Sequence, residues 1–101
     1  MNAIKEQQSG EARSAIRSHR PVNFYCHAPD AKLVQLVGDF NYWHPVPMQL
    51  RDDGWWFAQI MLGPGHHQYR FLVDDRPALD PHAVGKTRNE LNEEVSVVAA
   101  G

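Results

Sequence analysis

The sequence has little of what defines several common classes of protein. Cys26 is the only cysteine among 101 residues, so neither an intramolecular disulfide nor a four-cysteine zinc site can form. Ten basic residues against twelve acidic ones give a net charge of −2, which argues against nucleic-acid binding through a dominant basic field. No glycine-rich loop follows a strand and opens a helix, so phosphate binding has no support. We expect no cofactor and no nucleic-acid partner.

Long apolar segments are also missing. No run of about 18 apolar residues occurs, which argues against a transmembrane helix and a membrane partner. The first ten residues, MNAIKEQQSG, lack the apolar region of a secretory signal. We therefore expect a soluble, cytoplasmic protein. The length allows one domain and excludes a (β/α)8 barrel, which needs roughly 200–250 residues.

Residues 1–20 differ in composition from the rest of the chain. They contain no aromatic residue, and their few apolar side chains offset little of the entropy that ordering would cost. Apolar residues spaced i, i+3 and i+4 from Ala12 nevertheless permit a short amphipathic helix, which could dock on the domain or on a partner. We predict a flexible or short-helical N-terminal tail over residues 1–20 and one domain over residues 21–101.

After Pro21 the hydrophobic pattern changes to the alternation that is typical of half-buried strands. Every second residue from Trp56 to Leu62 is apolar, and the Asp53-Gly54 pair before this segment is a strong hairpin signal. The predicted strands, which leave residues 80–92 as a long polar loop, are 22–27, 33–37, 47–50, 55–62, 66–73 and 95–99. Short strands with turn signals about every ten residues favour an all-β fold, a small immunoglobulin-like antiparallel β-sandwich.

The residues that most often carry catalysis or bind metal ions stand in unfavourable places. Cys26 alternates with core positions, so a buried thiol is favoured over a nucleophile. His66 and His67 are neighbours on a strand and point to opposite faces, so they cannot share a metal ion in the usual way. The aspartate pairs at 52–53 and 74–75 stand at turns, where this side chain bonds to nearby backbone. We expect no catalytic residue, no metal site and no enzymatic activity.

The segment from Val37 to Trp43 carries the main functional indication. An exposed tryptophan in a polar loop is a surface on which a sugar ring can stack, while nearby polar side chains bond the hydroxyls. The alternative is that Trp43 folds back and covers one end of the sandwich. Gly38, at the start of this loop, is expected to adopt a positive φ, as is Gly54 in its own turn.

Several motifs occur in the order and spacing of a known family. They are Gly38-x-Phe40-Asn41-x-Trp43, Asp53-Gly54-x-Trp56, Pro64-Gly65-x-His67-Gln68-Tyr69-Arg70-Phe71-x-Val73-Asp74 and Asp80-Pro81. Over roughly residues 22–99 they resemble carbohydrate-binding module family 48. That family includes the glycogen-binding domain of the AMP-activated protein kinase beta subunit and the early-set domains preceding isoamylases and glycogen branching enzymes. The resemblance implies an immunoglobulin-like sandwich that recognises α-1,4-linked glucans.

The resemblance also implies binding residues, one position at a time. The first stacking tryptophan of the family falls on Trp43, the basic residue of the strand motif on Arg70, and a late asparagine on Asn92. The second stacking tryptophan falls on Pro77, where no aromatic residue stands, and this is the main departure from the family pattern. The candidates for the periphery of the site are Tyr42, His44 and Trp55. Of these, Trp55 either substitutes for the missing platform or covers a sheet face.

Two functions of different classes remain. The first is a non-catalytic module that binds an α-1,4-linked glucan oligosaccharide or polymer through a weak site built on Trp43 with Arg70. The second is a structural or protein-interaction module of glucan metabolism that has lost sugar binding. It would pair with a protein partner or as a homodimer, through a sheet edge or through residues 1–20. Pro77 favours the second function, and Trp43 with Arg70 favours the first.

Overall fold

The computed structural model describes residues 19–100, which form two antiparallel β-sheets packed as a sandwich. Within this range the strands are β1 (Arg20–His27), β2 (Val34–Gly38), β3 (Val46–Pro47), β4 (Gln49–Leu50), β5 (Trp55–Leu62), β6 (Gly65–Val73), β7 (Arg76–Ala78), β8 (Gly85–Arg88) and β9 (Glu94–Ala100). The smaller sheet has the order β1-β5-β4, and the larger has β3-β2-β6-β9-β8 with β7 paired to β6. The predicted all-β antiparallel sandwich is confirmed.

Strand β5 shows how the sequence sets the two faces of a sheet. Trp56 and Leu62 are buried at its two ends, and the residues between them alternate inward and outward. The turn before it uses Gly54 at a φ of +77°, which glycine adopts without a Cβ penalty. Pairing with β1 places Phe24 opposite Ala58. The alternation therefore gives the smaller sheet one face for the core and one for the outer surface.

The core lies between the two sheets. The rings of Phe24 and Tyr69 meet edge to face with centroids 4.8 Å apart, a favourable arrangement for aromatic pairs. The other buried members of this cluster are Val34, Leu36, Met48, Trp56, Leu62 and Phe71. Trp56 donates its Nε1–H to the carbonyl oxygen of Ala28 at 2.9 Å, so the polar atom of this buried ring has a partner.

Tyr69 fixes the loop that follows β7. Its hydroxyl donates to Oδ2 of Asp80 at 2.6 Å, and the backbone N–H of Asp80 donates to Oγ of Ser96 at 2.8 Å. The backbone N–H of His82 donates to the other carboxylate oxygen, Oδ1, at 2.9 Å. Burial, followed by the hydrogen bond and the charge of Asp80, raises the pKa of Tyr69. The phenol therefore stays protonated, and the loop stays attached to the core.

Three expectations about local structure were wrong. Residues 80–92 are not one loop, because β8 forms within them and pairs with β9. The sequence pattern did not predict this strand, since its four residues are all exposed and show no alternation of apolar and polar side chains. The segment 47–50 is divided between β3 and β4, which join different sheets. Gly38 has an extended φ of −163° rather than a positive one. Glycine is required there because a Cβ would overlap the ring of Phe40 and lie 2.9 Å from the carbonyl oxygen of Gln68.

The predicted tail falls almost entirely outside the described residues. Of residues 1–20, only the last two are described, and Arg20 already belongs to β1. Between residues 19 and 100 no helix has the length and apolar character needed to span a membrane.

Candidate functional site

The loop between β2 and β3 presents Trp43. It begins with a 3₁₀ turn at Asp39–Asn41 and then places Tyr42 and Trp43 at φ values of 55° and 60°. This left-handed conformation is unfavourable for residues other than glycine. Two hydrogen bonds hold it, from Trp43 N–H to the Gly38 carbonyl at 2.9 Å and from Gly38 N–H to Oδ1 of Asn41 at 3.0 Å. The tryptophan therefore stands on a fixed turn.

Asp39 joins this loop to the middle of the larger sheet. Its Oδ2 accepts the backbone N–H of Gln68 at 3.0 Å, and its Oδ1 lies 3.3 Å from Nδ1 of His67. Nε2 of His67 lies 2.8 Å from the carbonyl oxygen of Gly63, which assigns this nitrogen as the donor. Because Gln68 and His67 belong to β6, Asp39 fixes the position of the loop relative to that strand.

Arg70 lies on the outer face of the larger sheet. On β6 it stands between the inward-facing Tyr69 and Phe71, and it pairs with Val37 of β2. Its Nη1 lies 3.4 Å from Oε2 of Glu93, whereas its Nε is buried and has no hydrogen-bond partner among the described residues. The guanidinium group carries five N–H donors, so residues 19–100 leave much of its donor capacity unused.

The loop between β8 and β9 forms the facing wall. Oδ1 of Asn89 accepts the backbone N–H groups of both Leu91 and Glu93 at 3.0 Å, and Asn89 N–H donates to the Glu93 carbonyl at 3.0 Å. These bonds close a tight turn at whose tip Leu91 is 78% exposed. Asn92 follows at a φ of 61°, and its carbonyl oxygen accepts a hydrogen bond from Nη1 of Arg88 at 2.7 Å.

Trp43 and Arg70 line one cavity of about 620 Å³ on this outer face. The volume lies in the range of small-ligand sites. The other lining residues are Asp39, Gln68, Asn89, Glu90, Leu91 and Glu93. Trp43 is half-buried and lies outside the core cluster. Asn92 is not among the lining residues, although the loop that carries it forms one wall.

Some lining residues lie outside the set that the sequence indicated. Gln68 precedes Arg70 by two positions on one strand, so the period of two could have placed it on the same face. Leu91 is the one apolar residue in the polar segment 88–94, and an isolated leucine there is a weak signal for a binding surface. Asn89 and Glu93 line the cavity because of the turn that their hydrogen bonds close. The sequence pattern does not indicate this turn.

Pro77 shares a second hollow with Arg70. This hollow has a volume of about 230 Å³, and Glu94 also lines it. Pro77 is exposed on β7, opposite Leu72 of β6. The position that the resemblance assigns to a second stacking tryptophan therefore lies beside Arg70 but offers only a pyrrolidine ring.

The three peripheral candidates lie in different places. Tyr42 is 83% exposed beside Trp43 in the chain, and His44 is also exposed. Neither of them lines the cavity. Trp55 lies on the smaller sheet, where its ring stands 4.8 Å from the ring of His27, and it lines a separate groove. The structure therefore brings Trp43 and Arg70 together and places Trp55 apart from them.

The cavity combines groups suited to binding a polyhydroxylated ligand. It contains one large aromatic ring, one exposed leucine, two amides, a guanidinium group and carboxylates. Between residues 19 and 100 no group of three or more His, Cys, Asp or Glu side chains could hold a metal ion. Cys26 lies in β1, outside the cavity lining, and burial followed by the charge of Asp80 raises the pKa of its thiol.

Known proteins share sequence with this chain over much of its length. The family model described as the glycogen recognition site of AMP-activated protein kinase matches residues 20–100. A 1,4-alpha-glucan branching enzyme from Rhodopseudomonas palustris is 46% identical over 52 residues, which are 50% of this chain and 7% of that enzyme. A branching enzyme of the same name from a Bradyrhizobium species is 38% identical over 54 residues, 52% of this chain and 8% of the enzyme. The chain spans less than a tenth of the length of these curated relatives.

The fold recurs in a solved structure. The crystal structure of a maltogenic amylase from S. marinus superposes with a TM-score of 0.70 at 24% sequence identity. The match covers 82% of this chain and 14% of the amylase chain. At this level of identity the likeness concerns the fold alone.

Proposed function

Since the chain belongs to the family described as the glycogen recognition site of AMP-activated protein kinase, we propose that it is a non-catalytic module that binds α-1,4-linked glucans. The binding site is the cavity on the outer face of the larger sheet. The observation that carries the proposal is that Trp43 and Arg70 line this one cavity. The related enzymes are 1,4-alpha-glucan branching enzymes, and their names support the same ligand class.

Trp43 provides the platform on which a glucose ring stacks. Its loop is already held by backbone hydrogen bonds and by Asp39, so little conformational entropy is lost when a ligand binds. Base stacking on an aromatic ring contributes on the order of 1–3 kcal/mol. Sugar stacking belongs in the lower half of that range, about 1–2 kcal/mol, which corresponds to about a 5- to 30-fold change in affinity.

Arg70 and Glu93 provide the hydrogen bonds. The guanidinium group donates to hydroxyl oxygens, and the Glu93 carboxylate accepts hydroxyl protons, so the pair can bond the two sides of one glucose unit. Their mutual distance of 3.4 Å leaves the ion pair loose enough for a hydroxyl to compete for it. Asn92, exposed on the loop wall, bonds a hydroxyl of a chain that extends past the cavity, and Leu91 provides an apolar contact.

Calorimetric titration with maltoheptaose tests the proposal. Trp43→Ala is expected to weaken binding about 5- to 30-fold, and Trp43→Phe should retain part of the affinity. Leu50→Ala is the matched control, because Leu50 is an exposed apolar residue of the smaller sheet, and it should leave binding unchanged. Equal affinity and equal stoichiometry of the wild type and a folded Trp43→Ala protein would contradict the assignment.

Two variants of Arg70 separate the contribution of its charge from that of its donor geometry. Arg70→Lys keeps the positive charge and loses the planar donor fork, whereas Arg70→Ala loses both. If hydroxyls are bound through the fork, both variants should weaken maltoheptaose binding, and Arg70→Ala should do so more strongly. Unchanged affinity of Arg70→Ala would remove this residue from the site.

A structural or protein-interaction module is the second candidate function. The observation that favours it is Pro77, which stands exposed where the family pattern has an aromatic platform. In that case the folded protein would give no heat with maltoheptaose up to about 10 mM, a limit of roughly −2.7 kcal/mol. The binding partner would then be a protein or a second copy of this chain.

A further inference from the structure

A second groove, separate from the Trp43 cavity, follows β1, the outermost strand of the smaller sheet within residues 19–100. Its volume is about 540 Å³, again in the range of ligand sites. It opens between the smaller sheet, which contributes Asn23, Tyr25 and Trp55, and the loop that contains His82 and Val84. None of the described residues lines both the groove and the Trp43 cavity. A ligand in one site therefore leaves the side chains of the other untouched.

Trp55 stands in this groove as a fixed ring. Its side chain is 37% exposed, and its ring packs against the imidazole of His27 with centroids 4.8 Å apart and an interplanar angle of 34°. Nε2 of His27 lies 3.1 Å from the carbonyl oxygen of Asp53, which holds the imidazole in place. Because the ring is oriented before any ligand arrives, stacking on it costs little ordering.

Tyr25 adds a second exposed aromatic ring to the lining of the groove. It is 45% exposed, and its ring lies 5.3 Å from the ring of Phe57, which the guanidinium group of Arg51 covers at 3.8 Å. Oδ1 of Asn23 accepts a hydrogen bond from Nε2 of Gln59 at 2.9 Å. This bond leaves the amide N–H groups of Asn23, which lines the groove, open to a ligand.

The charge of the groove fits a neutral ligand. Asp80 carries the one carboxylate among the described residues that line it, and both oxygens are already engaged, by the Tyr69 hydroxyl and by the backbone N–H of His82. The polar groups of the lining that can bond a ligand include the amide of Asn23, the hydroxyl of Tyr25 and the exposed imidazole of His82. Exposed aromatic rings bordered by such hydrogen-bonding groups suit the faces and hydroxyls of sugar rings.

We propose that this groove is a second carbohydrate-binding site, with Trp55 as its platform and Tyr25 beside it. It takes a neutral glucan segment independently of the Trp43 cavity. The choice of α-glucan as its ligand rests on the proposed function. With two sites that share no residue, one domain can hold two glucan chains or two parts of one polymer.

The indole N–H signals of the protein test this proposal in one titration. The chain has three tryptophans, and in a ¹⁵N-labelled sample each gives one indole signal, assigned through Trp43→Phe and Trp55→Phe. With maltoheptaose, both the Trp43 and the Trp55 signals should move. The signal of Trp56, a buried ring bonded to Ala28, should stay in place as the internal reference. In Trp43→Ala the Trp55 signal should move with an unchanged midpoint.

Two variants make the test specific to the groove. Val84→Lys changes a loop residue that is 80% exposed at the mouth of the groove, so it should fold normally and weaken the Trp55 response about fivefold or more. Met61→Ala is the matched control, since Met61 is an exposed residue of the same strand outside the groove. It should leave the Trp55 response unchanged.

The outcomes separate this proposal from the function assigned to the Trp43 cavity. Movement of the Trp43 signal alone would overturn the second site and leave the first. Movement of the Trp55 signal alone would support the second site and overturn the first. A Trp55 response that disappears in Trp43→Ala, or one that follows protein concentration without sugar, would overturn the groove as an independent site. In the last case a second copy of the chain would be its occupant.

Discussion

Replacing Pro77 by tryptophan should strengthen glucan binding. Pro77 is exposed on β7 and shares a hollow of about 230 Å³ with Arg70, which also lines the Trp43 cavity. A tryptophan at this position would place a second ring beside Arg70, so one glucan chain could stack on Trp43 and on the new ring. Proline has no backbone N–H to donate to the sheet, so the exchange removes no donated ladder hydrogen bond, and β7 pairs only with β6 among the described strands.

The size of the gain follows from the stacking contribution. One further sugar-stacking platform contributes about 1–2 kcal/mol, so Pro77→Trp should lower the Kd for maltoheptaose about 5- to 30-fold. Calorimetry on the wild type and the variant measures this change directly. Pro64→Trp places the same ring at an exposed turn outside both hollows and should leave the Kd unchanged. Pro77→Ala should also stay close to the wild type.

The Pro77→Trp variant also tests whether the glucan chain passes over β7. If Pro77→Trp folds and binds maltoheptaose no more tightly than the wild type, while Trp43→Ala still weakens binding, then the hollow beside Arg70 is not on the path of the glucan chain. The site would then consist of the Trp43 cavity alone.

Three further predictions concern the framework. Gly38→Ala should lower the Tm, because the added Cβ overlaps the ring of Phe40 and such overpacking costs about 1–3 kcal/mol. Gly85→Ala is the control and should change the Tm little, since a Cβ at that position meets no described heavy atom within 4 Å. Tyr69 has a raised pKa in the folded state, so its contribution to the free energy of unfolding should be fully present below its ordinary pKa of 10.0 and should decrease as the pH rises above that value. In urea titrations at alkaline pH, Tyr69→Phe should show a smaller decrease with pH than the wild type. Cys26 has a raised thiol pKa, so at pH 8 it should react with iodoacetamide more slowly in the folded than in the unfolded protein, and equal rates would contradict this.

The fold could be predicted because its strands carry strong local signals. The alternation of Trp56 to Leu62 and the Asp53-Gly54 turn define β5 from the sequence alone, and the structure has both. Strand β8 has no such local pattern, because its four residues are all exposed. These residues form a strand through their pairing with β9. Its assignment depends on tertiary context, which outweighs local pattern in edge strands.

The site was predictable only in part, and for a different reason. The resemblance indicated Trp43 and Arg70, and in the structure these two residues line one cavity. Leu91 and Asn89 reach the same cavity only because a turn closed by side-chain hydrogen bonds carries them there. The place of Trp55 depended on which sheet β5 joins, and sequence spacing does not specify sheet order.

The turn that presents Trp43 also has a consequence for how the protein responds to selection. Tyr42 and Trp43 both hold left-handed backbone conformations that glycine would adopt without strain. A screen for thermal stability alone should therefore enrich glycine at these two positions. At position 42 such a change would leave the cavity lining intact, whereas at position 43 it would remove the ring. At position 43 a gain in stability would therefore lower the proposed ligand affinity, whereas at position 42 the two properties are independent. Adjacent positions in one turn would thus evolve under different constraints.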